Sequence, residues 1–473
     1  MGTTHALSAR QEERRRTRRV AYATIIGTTI EWYDFFIYGA AAGLIFNNLF
    51  FSPAGPAVAT ILAFASVGIS FLFRPLGAFL AGHYGDRIGR RTILVITLIA
   101  MGVATALIGL LPTYDTIGIL APILLIILRI VQGISAGGEW GGAALMAVEH
   151  APTNKRGLFG TFPQIGVPLG LLLASGMFAL MSGVISPGEA FVEWGWRVPF
   201  LLSIALVFLG HWIRRYVDES PIFEEIKERK ASTKAPIIQL FKKHSLLVLL
   251  GALVFAGINS VGYMTAGGFI QNYTTDPNGA LQLERTPVLL AVTASAVIWI
   301  IFTWFAGYIS DKIGRRNIYI IGWLVQYIGV FLLFPLVNIG SWESVLAGLT
   351  ILSVGIGLTY GAQASFYAEL FPASVRFSGV SITYAFGSIL GGAFAPMIAA
   401  WLYTSTGTSA SVTIYLAFMT TVGLTATLLL KDRTGIPLGP DHEVEQNEPA
   451  VYGIKSKVVL PEKSLSRKST LVR

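Results

Sequence analysis

Five ionisable residues stand where the surrounding sequence is otherwise apolar: Glu31, Asp34, Arg74, Arg129 and Glu139. Each lies in a run long enough to cross a bilayer as a helix. An ionisable group at that depth is expensive and needs a partner, a proton or a water-filled cavity. Glu31 and Asp34 are three residues apart, so a helix turns both carboxylates to one face. Acids in such a setting can hold and release a proton, and the fork of an arginine can bind both oxygens of a carboxylate. Fully ionised, the three acids and two arginines leave one surplus negative charge. A surplus charge in a poorly solvated site is neutralised by taking a proton. Asp34 is the first candidate for that proton because it shares the outer-middle zone with Arg129; Glu31 and Glu139 are the alternatives. Arg74 and Arg129 are the candidate ligands for a substrate carboxylate.

Other chemistries find little support. The chain has no cysteine, which excludes a disulfide framework or a thiolate metal site. His5, His83, His150, His211, His244 and His442 are scattered with no ligand spacing. No metal and no cofactor is expected, only protons as coupling ion. Gly133-Ile134-Ser135-Ala136-Gly137 fits the G-x-S-x-G pattern, but that nucleophile needs a strand–turn–helix elbow and a His partner. Here the pattern sits inside an apolar helix, so no enzyme is expected. The net charge of +9 raises nucleic-acid binding, yet Arg10, Arg14, Arg15, Arg16, Arg18 and Arg19 directly precede the first apolar run. Beside a membrane span such a cluster is a topology signal, and no nucleic-acid partner is expected.

The elements that must position these residues follow from hydropathy. Mean hydropathy is +0.63 and charged residues make up 13%, against about 25% in a soluble domain. The first apolar run is too long for a signal peptide and lacks a cleavage site, so none is expected. Apolar runs predict twelve helices near 21–47, 58–82, 92–111, 118–148, 157–183, 195–215, 246–273, 286–309, 317–336, 344–368, 377–402 and 411–430. If the N-terminus is cytoplasmic, 31 of the 35 Lys and Arg fall in cytoplasmic segments, a strong positive-inside bias. Both termini are therefore expected in the cytoplasm. The organisation read from this is a basic tail (1–20), a six-helix bundle (21–215), a solvated linker (216–245), a second six-helix bundle (246–430) and a disordered tail (431–473).

The two bundles repeat. Gly82-His83-Tyr84-Gly85-Asp86-Arg87-Ile88-Gly89-Arg90-Arg91 returns 225 residues later as Gly307-Tyr308-Ile309-Ser310-Asp311-Lys312-Ile313-Gly314-Arg315-Arg316. Glu149 and Arg156 return as Glu369 and Arg376, offset by 220. Two parallel repeats imply a substrate site near the midplane between them and rocking of one half against the other.

The doubled Gly-x-x-x-Asp-x-x-Gly-Arg-Arg loop resembles the signature of the major facilitator superfamily. Further stretches narrow the likeness: Glu31-Trp32-Tyr33-Asp34-Phe35, Arg74-Pro75-Leu76-Gly77, Gln132-Gly133, Gly137-Gly138-Glu139-Trp140-Gly141-Gly142 and Asp218-Glu219-Ser220-Pro221. Together they resemble the metabolite:proton symporter branch, which includes carriers of shikimate, 2-oxoglutarate, citrate and proline/betaine. The resemblance spans 21–430 and implies an all-α integral membrane protein with twelve transmembrane helices in two pseudo-symmetric bundles. It also implies an acid–arginine pair, Asp34 with Arg129, and a cytoplasmic latch. The latch residues are Asp86, Arg90, Arg91, Glu149 and Arg156 in the first half and Asp311, Arg315, Arg316, Glu369 and Arg376 in the second.

The second half carries no charge within its spans. Neutral substrate contacts are expected from Asn259, Tyr263, Gln363 and Tyr384, with Gln164 from the fifth helix. The leading expectation is a proton-coupled importer of a small organic acid, acting as a monomer in the bacterial cell membrane. A zwitterion symporter, a sugar-type carrier and an exporter are the alternatives among transporters. A channel is the alternative outside them, and saturation with counterflow would separate the two.

Overall fold

The computed structural model describes residues 22, 24–88, 90–137, 139–214, 236–266 and 268–453. The side chains of 81–95 and of Glu139 are outside that description, so the expected roles of Asp86, Arg90, Arg91 and Glu139 lie outside the described residues. So do the basic tail 1–20 and the linker portion 215–235.

Twelve membrane-crossing helices follow one another: α1 (24–50), α2 (Pro56–Ile88), α3 (Arg90–Leu110), α4 (Leu120–Glu149), α5 (Thr153–Ile185), α6 (Arg197–Arg214), α7 (Pro236–Ala266), α8 (Arg285–Ile313), α9 (Arg315–Val337), α10 (Trp342–Leu370), α11 (Arg376–Thr406) and α12 (Ser409–Leu429). The breaks have local causes. Gly314 (φ 95) alone separates α8 from α9, and a Ser341 capping box opens α10. On α9, Ile321, Leu324, Ile328 and Phe331 are exposed at helical spacing, while Ile318, Gly322, Gln326, Gly329 and Leu333 are buried. A polar residue on the buried face and bare apolar side chains outside is the pattern of a helix facing lipid on one side and protein on the other.

Two segments depart from expectation. α7 begins at Pro236 rather than near 246, with proline in the first turn and Leu240 fully buried, and it bends at His244 (φ −129, ψ 19). Ile238, Leu240 and Phe241 give this stretch enough apolar surface to pack. The tail expected to be disordered is ordered over 431–453. An antiparallel bridge joins Leu430 to Val451, and Leu438, Ala450 and Val451 are buried. Its overall polarity hid a few apolar residues and, more importantly, the helix ends it satisfies.

Within the first half α2 and α4 touch backbone to backbone. A side chain on Gly133 would run into the Ser70 carbonyl, and one on Gly137 into the Arg74 carbonyl. Between the halves, α5 packs along α8, and α2 along α11. Both ends of this seam are shut. At the end where 431–453 packs, Gly157 of α5 lies against Gly307 of α8. At the opposite end Ser182 Oγ meets Thr286 Oγ1 at 2.9 Å, and the Gly43 and Gly268 backbones are in contact.

Candidate functional site

α1 brings its acids into the centre of the first half by burying its aromatic neighbours. Trp32, Tyr33, Phe35 and Phe36 are all in the core, and the Tyr33 hydroxyl donates to the Pro199 carbonyl at 2.9 Å. Asp34 is 1% exposed. Its carboxylate accepts hydrogen bonds from Ser203 Oγ (2.5 Å) and Thr105 Oγ1 (3.0 Å). Glu31 is buried as well, at 2% exposed.

The direct Asp34–Arg129 pair implied by the resemblance is not formed. Arg129, fully buried on α4, donates to the Ser66 carbonyl (3.2 Å), the Val67 carbonyl and Ser70 Oγ (each 2.8 Å), and Gln132 Oε1 (2.8 Å). Tyr38 lies beneath its guanidinium at 3.8 Å. The close approach of α2 and α4 puts α2's carbonyls within its reach, and these satisfy it without a carboxylate. The connection to Asp34 is indirect: Gln132 Nε2 donates to Thr105 Oγ1 (2.8 Å), which donates to Asp34. Gln132 carried a motif signal in the sequence. Thr105 and Ser203 carried none.

Arg74 occupies the seam. Its guanidinium lies 4.4 Å from the Phe71 ring centre, 5.4 Å from Phe35 and 5.5 Å from Trp32. It faces Tyr263 and Tyr384 of the second half. Next to it Trp32, Asn259, Tyr263, Trp299 and Tyr360 line a cavity closed down to ≈ 10 Å³, about one water. Arg74 Nε, Trp32 Nε1, Asn259 Nδ2, Tyr263 Oη and Trp299 Nε1 have no hydrogen-bond partner among the described residues. Buried donors are normally satisfied, so this concentration of them at one place marks a site waiting for acceptors. Trp140 stacks on Tyr384 (3.7 Å) and donates to Gln164 Oε1 (3.0 Å). Gln164 Nε2 in turn donates to the Tyr360 carbonyl and Gln363 Oε1, each at 3.0 Å, which ties the halves together. The expected neutral residues are thus brought to one place. Trp32 and Trp140, which stand in the quoted motifs, and Trp299 and Tyr360 join them; aromatic residues serve equally for packing, so the sequence did not single these four out as contacts.

The charged repeat closes the seam at the end where the C-terminal segment packs. Asp311 accepts the backbone N–H groups of Gly157 (2.7 Å) and Leu158 (2.9 Å), capping the start of α5 from the other half. A carboxylate suits that position because a helix start presents unpaired N–H groups and positive potential. Arg315 holds both Asp311 (2.7 Å) and Glu369 (3.2 Å). The second repeat exchanges partners across the seam: Arg156 with Glu369 at 3.6 Å, and Arg376 with Glu149 at 3.8 Å. Arg316 does not join this cluster as expected. It donates instead to the Thr427 and Leu428 carbonyls at the end of α12, and Tyr452 covers it.

Comparison with known proteins follows the geometry. The model of the Major Facilitator Superfamily matches residues 24–389 and 274–469. The chain is 42% identical to the inner membrane metabolite transport protein YhjE of Escherichia coli, over 87% of this chain and 93% of that one. It is 40% identical to the Shikimate transporter of Escherichia coli, covering 88% and 95%. With the Proline/betaine transporter of Escherichia coli it shares 32% identity, covering 89% and 85%. Among solved structures, the D-xylose-proton symporter superposes with a TM-score of 0.68 over 91% of this chain and 99% of that one, at 19% identity.

Proposed function

The chain belongs to the Major Facilitator Superfamily of membrane transporters, and from that premise we propose that it is a proton-coupled symporter importing a small organic acid by alternating access. The observation that carries the reading is the donor-lined cavity beside Arg74. The unsatisfied groups that line it, Trp32 Nε1, Asn259 Nδ2, Tyr263 Oη and Trp299 Nε1, can each donate, and a guanidinium stands next to them. The ligand that satisfies such a set offers several oxygen acceptors and a negative charge. Asp34, set apart from Arg74 and held only by hydroxyl groups, is the residue assigned to the coupling proton. Glu31 and Glu139 are the alternatives. Arg74 is assigned to the acid first and Arg129 second, with Gln164, Asn259, Tyr263, Gln363 and Tyr384 as neutral contacts.

A zwitterion carrier is the second reading, favoured by the relative named a proline/betaine transporter. A quaternary ammonium needs an open aromatic cage, and the rings of Trp32, Phe35 and Phe71 are already taken by Arg74. We place the protein in the bacterial inner membrane with both termini in the cytoplasm, as the basic residues and the relatives' names support. It acts as a monomer, with no cofactor beyond the proton. The test is uptake into proteoliposomes under an imposed pH gradient, with shikimate, dicarboxylates, monocarboxylates and betaine supplied singly. Saturable, gradient-driven accumulation of an acid supports the proposal. Accumulation of betaine alone would replace it with the second reading.

A further inference from the structure

The C-terminal segment packs directly onto the charged cluster that closes the seam. Asp432 and Thr434 accept the backbone N–H groups of Arg316 (3.3 Å) and Arg315 (2.9 Å), capping the start of α9. Arg433 donates to the Leu370 carbonyl at the end of α10. Gln446, 2% exposed, is the pin. Its Oε1 accepts from the Ala373 backbone (2.7 Å) and Arg376 (3.2 Å), while its Nε2 donates to the Pro437 and Gly439 carbonyls. Arg376 also donates to the Leu438 carbonyl at 2.9 Å. The two Gln446 Nε2 bonds fold the segment on itself, and the other contacts bind it to the second half.

One contact is different. The Gly435 N–H donates to Glu369 Oε1 (3.2 Å), and the carbonyl of the next residue, Ile436, accepts from Arg156 NH1 at 2.6 Å. Glu369 belongs to the second half and Arg156 to the first, and they face each other at 3.6 Å. A dipeptide of the tail is therefore stitched into the ion pair between the halves. Arg156 lies at the end of the first turn of α5, whose first turns must leave α8 when this end of the seam opens. The pair can part only if the Ile436 carbonyl lets go as well.

We propose that residues 432–446 are a strap that holds this end of the seam closed and must release Arg156 before it opens, which makes the C-terminal segment a brake on transport. The strap is independent of the substrate and of the coupling residue, and it rests on the alternating-access reading alone. Its anchors on the second half keep it in register, and the charge-assisted bond from Arg156 of the first half gives it leverage on the equilibrium. Anything that unpins Gln446, or gives the segment another binding partner, would release the brake.

The test uses the full-length chain, which contains no cysteine. A Thr161→Cys reporter sits fully buried in the seam, against Gly307, and is labelled only when that end opens. Two variants loosen the strap while leaving Arg156 and Glu369 in place. Gln446→Leu removes the pin. Gly435→Pro removes the N–H to Glu369 and cannot adopt φ 85. Asn447→Ala, which loses only an exposed bond to Glu443 within the segment, is the control. Labelling of the reporter should speed up roughly tenfold in either loosened variant, the weight of one charge-assisted hydrogen bond, and stay unchanged in the control. Unchanged labelling in loosened protein that remains folded would overturn the proposal. So would a drop in melting temperature with no change in labelling, since the segment would then be a passive brace.

Discussion

At the scale of single residues, polar side chains in the spans have divided their tasks. Arg129 is spent on α2's carbonyls, Ser70 and Gln132, whereas Arg74 keeps an unsatisfied Nε at the seam. Arg74 is accordingly the stronger ligand for a substrate carboxylate. Arg74→Lys should weaken acid binding by roughly tenfold to a hundredfold, because a point charge cannot replace a planar fork that also stacks on rings. Arg129→Lys should affect folding more than affinity. Isothermal calorimetry on the purified variants checks both. Unaltered affinity in Arg74→Lys would make Arg74 a structural residue and leave the acid without its assigned ligand.

The candidate charges were legible because any charge inside an apolar run stands out. Their partners were not. Thr105 and Ser203 reach Asp34 from 71 and 169 residues away, and a hydroxyl in a helix usually bonds its own preceding turn. Only packing reveals which ones turn outward. The same limit explains the Asp34–Arg129 pair. Sequence placed both at one depth, but the carbonyls that α2 offers Arg129 depend on how closely two backbones approach.

At the scale of elements, hydropathy fixed twelve helices and the repeats fixed two halves, since both signals extend over many residues. The charged loops were legible as carriers of the gate, while the reciprocal Arg156–Glu369 and Arg376–Glu149 pairing emerged only from the way the halves face each other. Two predictions belong here. Asp311→Asn removes the negative charge from the start of α5 and from Arg315. It should shift the population towards opening at that end by about 1–3 kcal/mol, read as faster labelling of a cysteine placed at Thr161. No change in labelling would count against the gate. Gly133→Val thrusts a side chain into the Ser70 carbonyl and should destabilise the protein by about 1–3 kcal/mol, seen as a lower melting temperature. A melting temperature equal to that of the parent would mean that α2 and α4 have room to separate.

At the scale of the whole molecule, both ends of the seam are closed and the cavity between them is nearly filled. A shape closed at both ends fits the proposed alternating access, in which a carrier must pass through such a state and a channel does not need one. The two halves are also unequal. Among the described residues every charge buried mid-span lies in the first, and the second meets it with aromatic and amide groups. In the proposed alternating access, rocking changes what surrounds Arg74 while Asp34 stays inside one half, near Thr105 and Ser203. Proton and substrate can then be coupled without touching, through the Gln132–Thr105 link between Arg129 and Asp34.

Coupling through Asp34 is the central claim, and one variant tests it most directly. Asp34→Asn keeps the shape and a hydrogen-bonding group but cannot exchange a proton. In proteoliposomes it should exchange labelled acid for unlabelled acid across the membrane at a rate comparable to the parent. Under an imposed proton gradient it should bring internal acid no higher than external. Accumulation against a concentration gradient, driven by protons alone, would show that the coupling proton rides elsewhere.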